Sequence, residues 1–346
     1  MTQGRSIRLF LVDGTPTGII TAEIMNWTGH VIVAPRSRLA DFVQRQEAGR
    51  TGVYCLVGDN PETSLKPLVY IGETDNVGKR LVQHNKDESK DFFDRFCVVT
   101  SKDQNLTKAH VRYLESRLID IALKAELSKT INGTAPDFGR LPEADLADME
   151  FFVEQIRTVF PVLGLSFLRA GGPVRASGAT SAATATEIAA EPVVGSARDV
   201  AVRNPTEAGG AAGRFRPSTV GVTSPQFETR DLKAGIVARA IEIDGEIVVE
   251  AGSTVRVKEG GSLSSTLRQM RTDFLASGVL KRHPTNPQVY LLTRDVAFNS
   301  PSQASSVIFG HSSNGRTAWL VVGTKQTYAD WQQAQIAAHA PQGGEE

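Results

Sequence analysis

Cysteine is scarce in this chain of 346 residues: Cys55 and Cys97 are the whole supply. Two thiols exclude a disulfide framework and, on their own, a zinc site. Both stand in apolar, strand-like runs and read as small buried hydrophobes. Long hydrophobic runs are missing too. None approaches the ~18 residues that span a bilayer, and the opening MTQGRSIRLF lacks the apolar stretch and cleavage site of a secretory leader. A reducing, cytoplasmic setting is the expectation. An excess of one charge is also absent, since 38 Lys and Arg balance 38 Asp and Glu. Overall charge therefore announces no nucleic-acid partner, although a balanced chain can still carry a local basic face. Finally, no aromatic residue falls between Phe167 and Phe215. The stretch 169–218 is instead rich in Ala, Gly, Ser, Thr and Pro. It cannot bury enough apolar surface to offset the entropy of ordering it, and reads as a flexible linker.

What remains is ordinary globular material, 40% hydrophobic and 22% charged, long enough for about two domains. No internal repeat is visible. Ahead of the linker, "SIRLFLVDG" and "GHVIVAP" alternate like strands. "SRLADFVQRQ" sets Leu39, Phe42 and Val43 at helical spacing behind Ser37 as N-cap. Strands are expected at about 52–58, 67–72 and 92–99, with a helix near 76–85. "LTKAHVRYLESRLIDIALKA" is amphipathic, with apolar positions recurring at three and four, and another helix follows "LPEAD". Beyond the linker, "AGIVARAIEID", "EIVVEAGSTVRV", "QVYLLTRDVAF" and "GRTAWLVVG" read as strands, and "SSTLRQMRTDFLASGVL" and "SPSQASSVIFG" as helices. The expected fold class is α+β, a small mixed sheet flanked by helices, then a second, smaller α+β domain on a flexible linker. The expected divisions are an N-terminal extension over 1–49, a first domain over 50–168, a C-terminal domain over 219–335 and a frayed tail over 336–346.

The polar residues of the first domain carry the chemistry. Tyr54 and Tyr70 stand on successive strands, in "TGVYCLVG" and "PLVYIGET". Arg80 and His84 are four apart in "NVGKRLVQH" and share one helix face. A guanidinium there can grip a phosphate bidentately. Glu115 lies beside Leu114 and Leu118 on the long amphipathic helix. A carboxylate near an apolar seam needs a partner, either a divalent cation or Arg112 or Arg117 of its own helix. Asn132, in "TINGTAP", is by default a turn residue, or an amide that orients a water or Glu115. Taken singly, each has a bland reading as a core phenol, a solvated surface pair or a helix ion pair.

Taken together they resemble the GIY-YIG nuclease superfamily. "GVY" is followed after a short loop by "VYIG", an arginine ten residues past the second tyrosine, a histidine four further, a glutamate inside the next long helix and an asparagine just beyond it. Val53 replaces the usual isoleucine, and the loop from Gly58 to Pro67 is somewhat long. The likeness covers about residues 50 to 135. It implies hydrolysis of DNA phosphodiesters with one Mg²⁺ or Mn²⁺. Tyr54, Tyr70, Arg80, His84, Glu115 and Asn132 are then the catalytic set and Glu115 the metal ligand. Tyr54 or His84 is the base, and a free phenol with a pKa of roughly 10 needs help to serve at neutral pH. The region 232–328 resembles a domain of unknown function found at the C-terminus of such proteins and similar to modules associated with restriction and modification enzymes. DNA engagement is its implied role.

For holding DNA, Lys79 and Lys86 flank the first site, with acidic residues interspersed. The second domain is plainer. Between Ser253 and Arg294 seven basic residues, among them Arg268, Arg271, Lys281 and Arg282, face only Glu259 and Asp273. That surplus suits phosphate contacts, which set affinity rather than sequence choice; an ordinary solvated helix face is the plain alternative. The leading expectation is a metal-dependent endonuclease. The others are a DNA-binding module whose nuclease fold is non-catalytic or waits for a partner, and an adaptor that recruits a protein through its C-terminal domain.

Overall fold

The computed structural model describes residues 4–60, 66–132, 135–137, 141–169 and 224–339. The expected linker lies almost wholly outside the described residues. The N-terminal region runs β1 (Ile7–Leu11), β2 (Ile20–Ile24), β3 (Gly29–Pro35), α1 (Leu39–Val43), β4 (Gly52–Gly58), β5 (Leu68–Thr74), α2 (Val77–Lys86), β6 (Arg95–Ser101), α3 (Lys108–Ala125), β7 (Lys129–Thr130) and α4 (Glu143–Val159). The strands form one sheet in the order β1-β2-β3-β6-β4-β5-β7, antiparallel except for β5 with β7. Because β3 pairs with β6 over seven positions, the expected N-terminal extension is continuous with the sheet.

Alternation along β4 explains the layers. Val53, Cys55 and Val57 face the side covered by α3 and α4, and pack with Leu114, Leu118, Phe152 and Ile156. Tyr54 and Leu56 point the other way, into a core with Phe42, Leu81, Phe96 and Val98. A strand buried on both faces reads as a continuous apolar run, as "VYCLV" does. Cys55 and Cys97 lie opposite each other across β4 and β6, both free and buried. The sequence places the Ser37 cap wrongly. The turn begins one residue earlier as a single 3₁₀ turn at Arg36–Arg38, and the Ser37 hydroxyl donates to Gly245 O at 3.1 Å.

The C-terminal region contains β8 (Phe227–Asp231), β9 (Ile236–Ile243), β10 (Glu246–Val249), β11 (Thr254–Arg256), α5 (Ser265–Ala276), β12 (Leu280–Arg282), β13 (Val289–Leu292), β14 (Val296–Phe298), α6 (Pro301–Phe309), α7 (Gly315–Ala318), β15 (Leu320–Val321) and α8 (Tyr328–His339). A five-stranded sheet, β14-β10-β9-β8-β15, and a three-stranded one, β11-β13-β12, enclose a separate apolar core that includes Phe227, Ile236 and Trp319. The whole chain is thus α+β with a second, smaller α+β domain. Three expected elements differ. "EIVVEAGSTVRV" is two strands, broken where Gly252 adopts a φ of +87°. "QVYLLTRDVAF" divides between the two sheets at Thr293–Asp295. "GRTAWLVVG" begins as α7, because the Asn314 side chain accepts from Arg316 N and starts a helical turn.

The tail expected to fray is α8 through its described part. It packs on α1, and Ile336 sits in the same core as Phe42 and Leu81. Gln332 donates to Arg36 O at 3.0 Å, and Arg316 and Asn314 both bind Asp91. The two regions therefore pack as one compact unit. Among the described residues no helix is long and apolar enough to cross a membrane.

Candidate active site

Register fixes the two phenols. Tyr54 stands opposite Gly72 and Leu56 opposite Tyr70, so Tyr54 and Tyr70 project from one face of the β4–β5 pair, with rings 6.3 Å apart. Helix α2 lies against that face, started by Asn76, whose side chain accepts from Lys79 N. Its i, i+4 pair then points at the phenols. The Tyr54 hydroxyl and His84 Nε2 are 2.7 Å apart, and Arg80 Nε donates to the same hydroxyl at 3.3 Å. Tyr70 lies close enough to Tyr54 to disfavour its ionisation, and its ring meets His84 edge-on at 5.5 Å. Four of the expected site residues are therefore brought into one cluster.

Two further residues shape the cluster: Gly72, the glycine of "VYIG", and Lys90. A Cβ at residue 72 would collide with the Tyr54 hydroxyl, so only glycine lets the phenol cross beneath β5. Lys90 holds its ammonium 3.7 Å from the centre of the Tyr70 ring. The sequence marks it as basic and nothing more.

Exposure assigns different tasks to the two phenols. Tyr54 is wholly buried, whereas Tyr70 is half-buried and Arg80 exposed. The Tyr54 hydroxyl, expected to meet the attacking water, is covered by its partners. Its acidity also moves the wrong way for a free base. Burial, then the neighbouring Tyr70, pushes the phenol well above its ordinary range, and the Arg80 hydrogen bond offsets only part of this. His84 moves oppositely, down to about 4, through burial first and then the charges of Arg80 and Lys90. At neutral pH the imidazole is uncharged and able to accept from Tyr54.

Glu115 and Asn132 approach along the outer edge of β5. Alternate residues of that strand turn their backbone groups away from β4, and each is met in order. Ile131 N donates to Val69 O at 2.8 Å. The Asn132 amide accepts from Ile71 N at 2.9 Å and donates to Ile71 O at 2.7 Å. Glu115 then comes up against the backbone and carboxylate of Glu73. Asn132 thus extends the strand pairing with a side chain. The expectation that it orients a water or Glu115 gives way to a positioning role.

Glu115 is half-buried and pushed up to about 7, by burial first and then by Glu73, against the smaller opposing effects of Lys108 and Arg112. Glu73 itself binds Lys108 Nζ at 2.7 Å. Among the described residues no group of three or more His, Cys, Asp or Glu forms a metal-binding cluster. Mg²⁺ commonly uses one or two carboxylates and keeps several waters. Two hard oxygen donors, one of them held toward its neutral form by burial first and by its acidic neighbour second, fit such a cation, which would offset both effects.

The expected DNA contacts divide. Lys79, Lys86, Lys281 and Arg282 are exposed. Arg268 ties Glu259 to the carbonyls of Gly260 and Leu263. Arg271 is a correction. It is 1% exposed, pairs with Glu259, and donates to the carbonyls of Val307 and Arg256, so it is an internal strut that no phosphate backbone reaches. Counted by charge alone, it belonged to the basic surplus of 253–294.

In comparison with known proteins, the family model described as "Domain of unknown function (DUF4357)" fits residues 227–332, which span the second core from β8 into α8. No curated protein and no solved structure matches the chain.

Proposed function

We propose that the chain is a divalent-metal-dependent DNA endonuclease of GIY-YIG type. The observation that carries the reading is the contact of Tyr54 with His84 at 2.7 Å, with Arg80 on the same hydroxyl. An exposed guanidinium, a half-buried phenol and a neutral imidazole linked through one buried hydroxyl suit a phosphate and the water that attacks it.

In this reading the scissile phosphate lies at the open end of β5, where Arg80 and Tyr70 are accessible. Arg80 stabilises the charge that develops on phosphorus-bound oxygens, typically worth a few kcal/mol. The water gives its proton to Tyr70 as Tyr70 passes its own to Tyr54 and Tyr54 passes its own to His84 Nε2. Neither phenol then holds a full negative charge, which its burial would oppose. The substrate also prepares the acceptor. An incoming phosphate offsets the charges of Arg80 and Lys90 that depress His84, and moves the imidazole back toward its ordinary basicity. Glu115, with Glu73 beside it, would hold Mg²⁺ or Mn²⁺, which when bound neutralises charge on the phosphate and the leaving oxygen.

The test is cleavage of labelled single-stranded, duplex and branched DNA with Mg²⁺ or Mn²⁺, wild type beside Glu115→Ala. Cutting by wild type alone supports the enzyme. Full activity in Glu115→Ala with metal present removes the metal assignment. Binding without cutting on every substrate replaces the enzyme with a DNA-binding module.

A further inference from the structure

The contact between the two regions encloses a cleft of about 300 Å³. Its walls come from the segment around Asp91, the first turn of α6, the segment before α7, and α8. That volume is at the lower end for small-molecule sites. We propose that this cleft binds a phosphomonoester carried on a small molecule of about mononucleotide size, gripped by Arg316 at the mouth of α6.

Charge comes first. Two buried arginines, Arg36 and Arg316, converge on one carboxylate, Asp91, whose second oxygen is taken by Asn314 at 2.9 Å. At contact distance one positive charge is left over, with Asp59 and Asp94 standing farther along the wall. Arg36 feels it, being pushed down to about 9 by burial and then by Arg316. The donors of Arg36 are occupied by Asn85, Phe93 and Asp91. Arg316 differs. It is 8% exposed, only its Nη1 reaches Asp91, and its Nε has no partner. The Nε edge is one a guanidinium offers to a phosphate.

The other walls agree. α6 is a nine-residue helix whose Ser300 cap, Pro301, Ser302 and Gln303 all line the cleft. Its positive end therefore adds to the field that Arg316 creates. Gln332 is 2% exposed, lines the same cleft and leaves its Oε1 unpartnered, an acceptor suited to a hydroxyl of the ligand. Asp59 and Asp94 close another side. Burial raises both, and Asp94 reaches about 7 with the help of Asp59. At neutral pH part of that wall is protonated and donates.

The site is separate from Tyr70 and Arg80, so its test is independent of nuclease activity. Binding to the full chain is measured by calorimetry and thermal shift with dAMP, inorganic phosphate, deoxyadenosine, and a short oligonucleotide with or without a 5′-phosphate. The expected result is saturable binding of dAMP, weaker binding of phosphate, and none of deoxyadenosine. Arg316→Met and Gln332→Glu are each expected to weaken dAMP binding at least tenfold, with Lys281→Ala unchanged. If Arg316→Met fails to fold, Gln332→Glu alone decides. Preference for the 5′-phosphorylated oligonucleotide over dAMP keeps the proposal and identifies a DNA end as the source of the phosphate. Equal behaviour of deoxyadenosine and dAMP, or wild-type affinity in the folded variants, overturns it.

Discussion

Replacing Glu115 with glutamine should make the metal-free protein more stable, and only at higher pH. The folded-state pKa rises from 4.5 to about 7. A 2.5-unit gap corresponds to about 3.4 kcal/mol as an upper bound. The carboxyl is only half-buried, so solvent screening reduces this to about 1–2 kcal/mol. Because the folded pKa lies above the unfolded one, the folded state holds the extra proton. The associated stability is whole below pH 4.5 and is lost as pH rises to about 7. A glutamine side chain does not titrate in this range and keeps the shape of the carboxyl. Urea unfolding of wild type and Glu115→Gln should therefore nearly coincide at pH 4.5 and differ by about 1–2 kcal/mol in favour of Glu115→Gln at pH 8. Adding Mg²⁺ at about ten times its dissociation constant should return about 1.4 kcal/mol to wild type and nothing to Glu115→Gln. Equal stability of the two proteins at pH 8 would refute the electrostatic argument. Equal Mg²⁺ stabilisation of both would refute the ligand assignment.

With metal saturating, so that Glu115 stays ionised, kcat/KM should fall only below about pH 5 and stay level to pH 9, because His84 of the free protein titrates at about 4. A rate that climbs beyond pH 9 would instead make a phenol the base. Gly72→Ala should cost about 1–3 kcal/mol in urea unfolding and most of the activity, since its Cβ would strike the Tyr54 hydroxyl; wild-type activity would show that Tyr54 can move aside. Asn132→Ala removes two hydrogen bonds to Ile71. It should cost about 1–2 kcal/mol and lower activity through misplacement of β5, and Asn132→Asp, which keeps the acceptor alone, should lie between.

Much of the first region was legible because its signals are local. The apolar run of β4, the alternation of β5 and the i, i+4 pair on α2 each follow from a period of two or four. The cluster of Tyr54, Tyr70, Arg80 and His84 follows from those periods once the strands pair. What stayed hidden depends on contacts between distant residues. Asn132 looked like a turn residue because its partner is the backbone of Ile71, 61 positions away. Arg271 looked like a surface cation because the carbonyls that bury it come from Val307 and Arg256. α8 was missed because its buried stripe is Tyr328, Gln332 and Ile336, and a glutamine in the middle breaks the apolar pattern. Its docking surface belongs to the other end of the chain.

That docking has a consequence for how the protein divides. Lys90 leans over Tyr70 while its neighbour Asp91 is held by Arg316 and Asn314. One dipeptide thus touches the candidate catalytic cluster with one side chain and the C-terminal region with the next. Cutting the chain after residue 223 would uncover the apolar seat of Ile336 and release Asp91 to its remaining partner, Arg36. The boundary suggested by composition is therefore no place to separate two working halves: the first half borrows part of its interior, and the anchoring of a site residue, from the second.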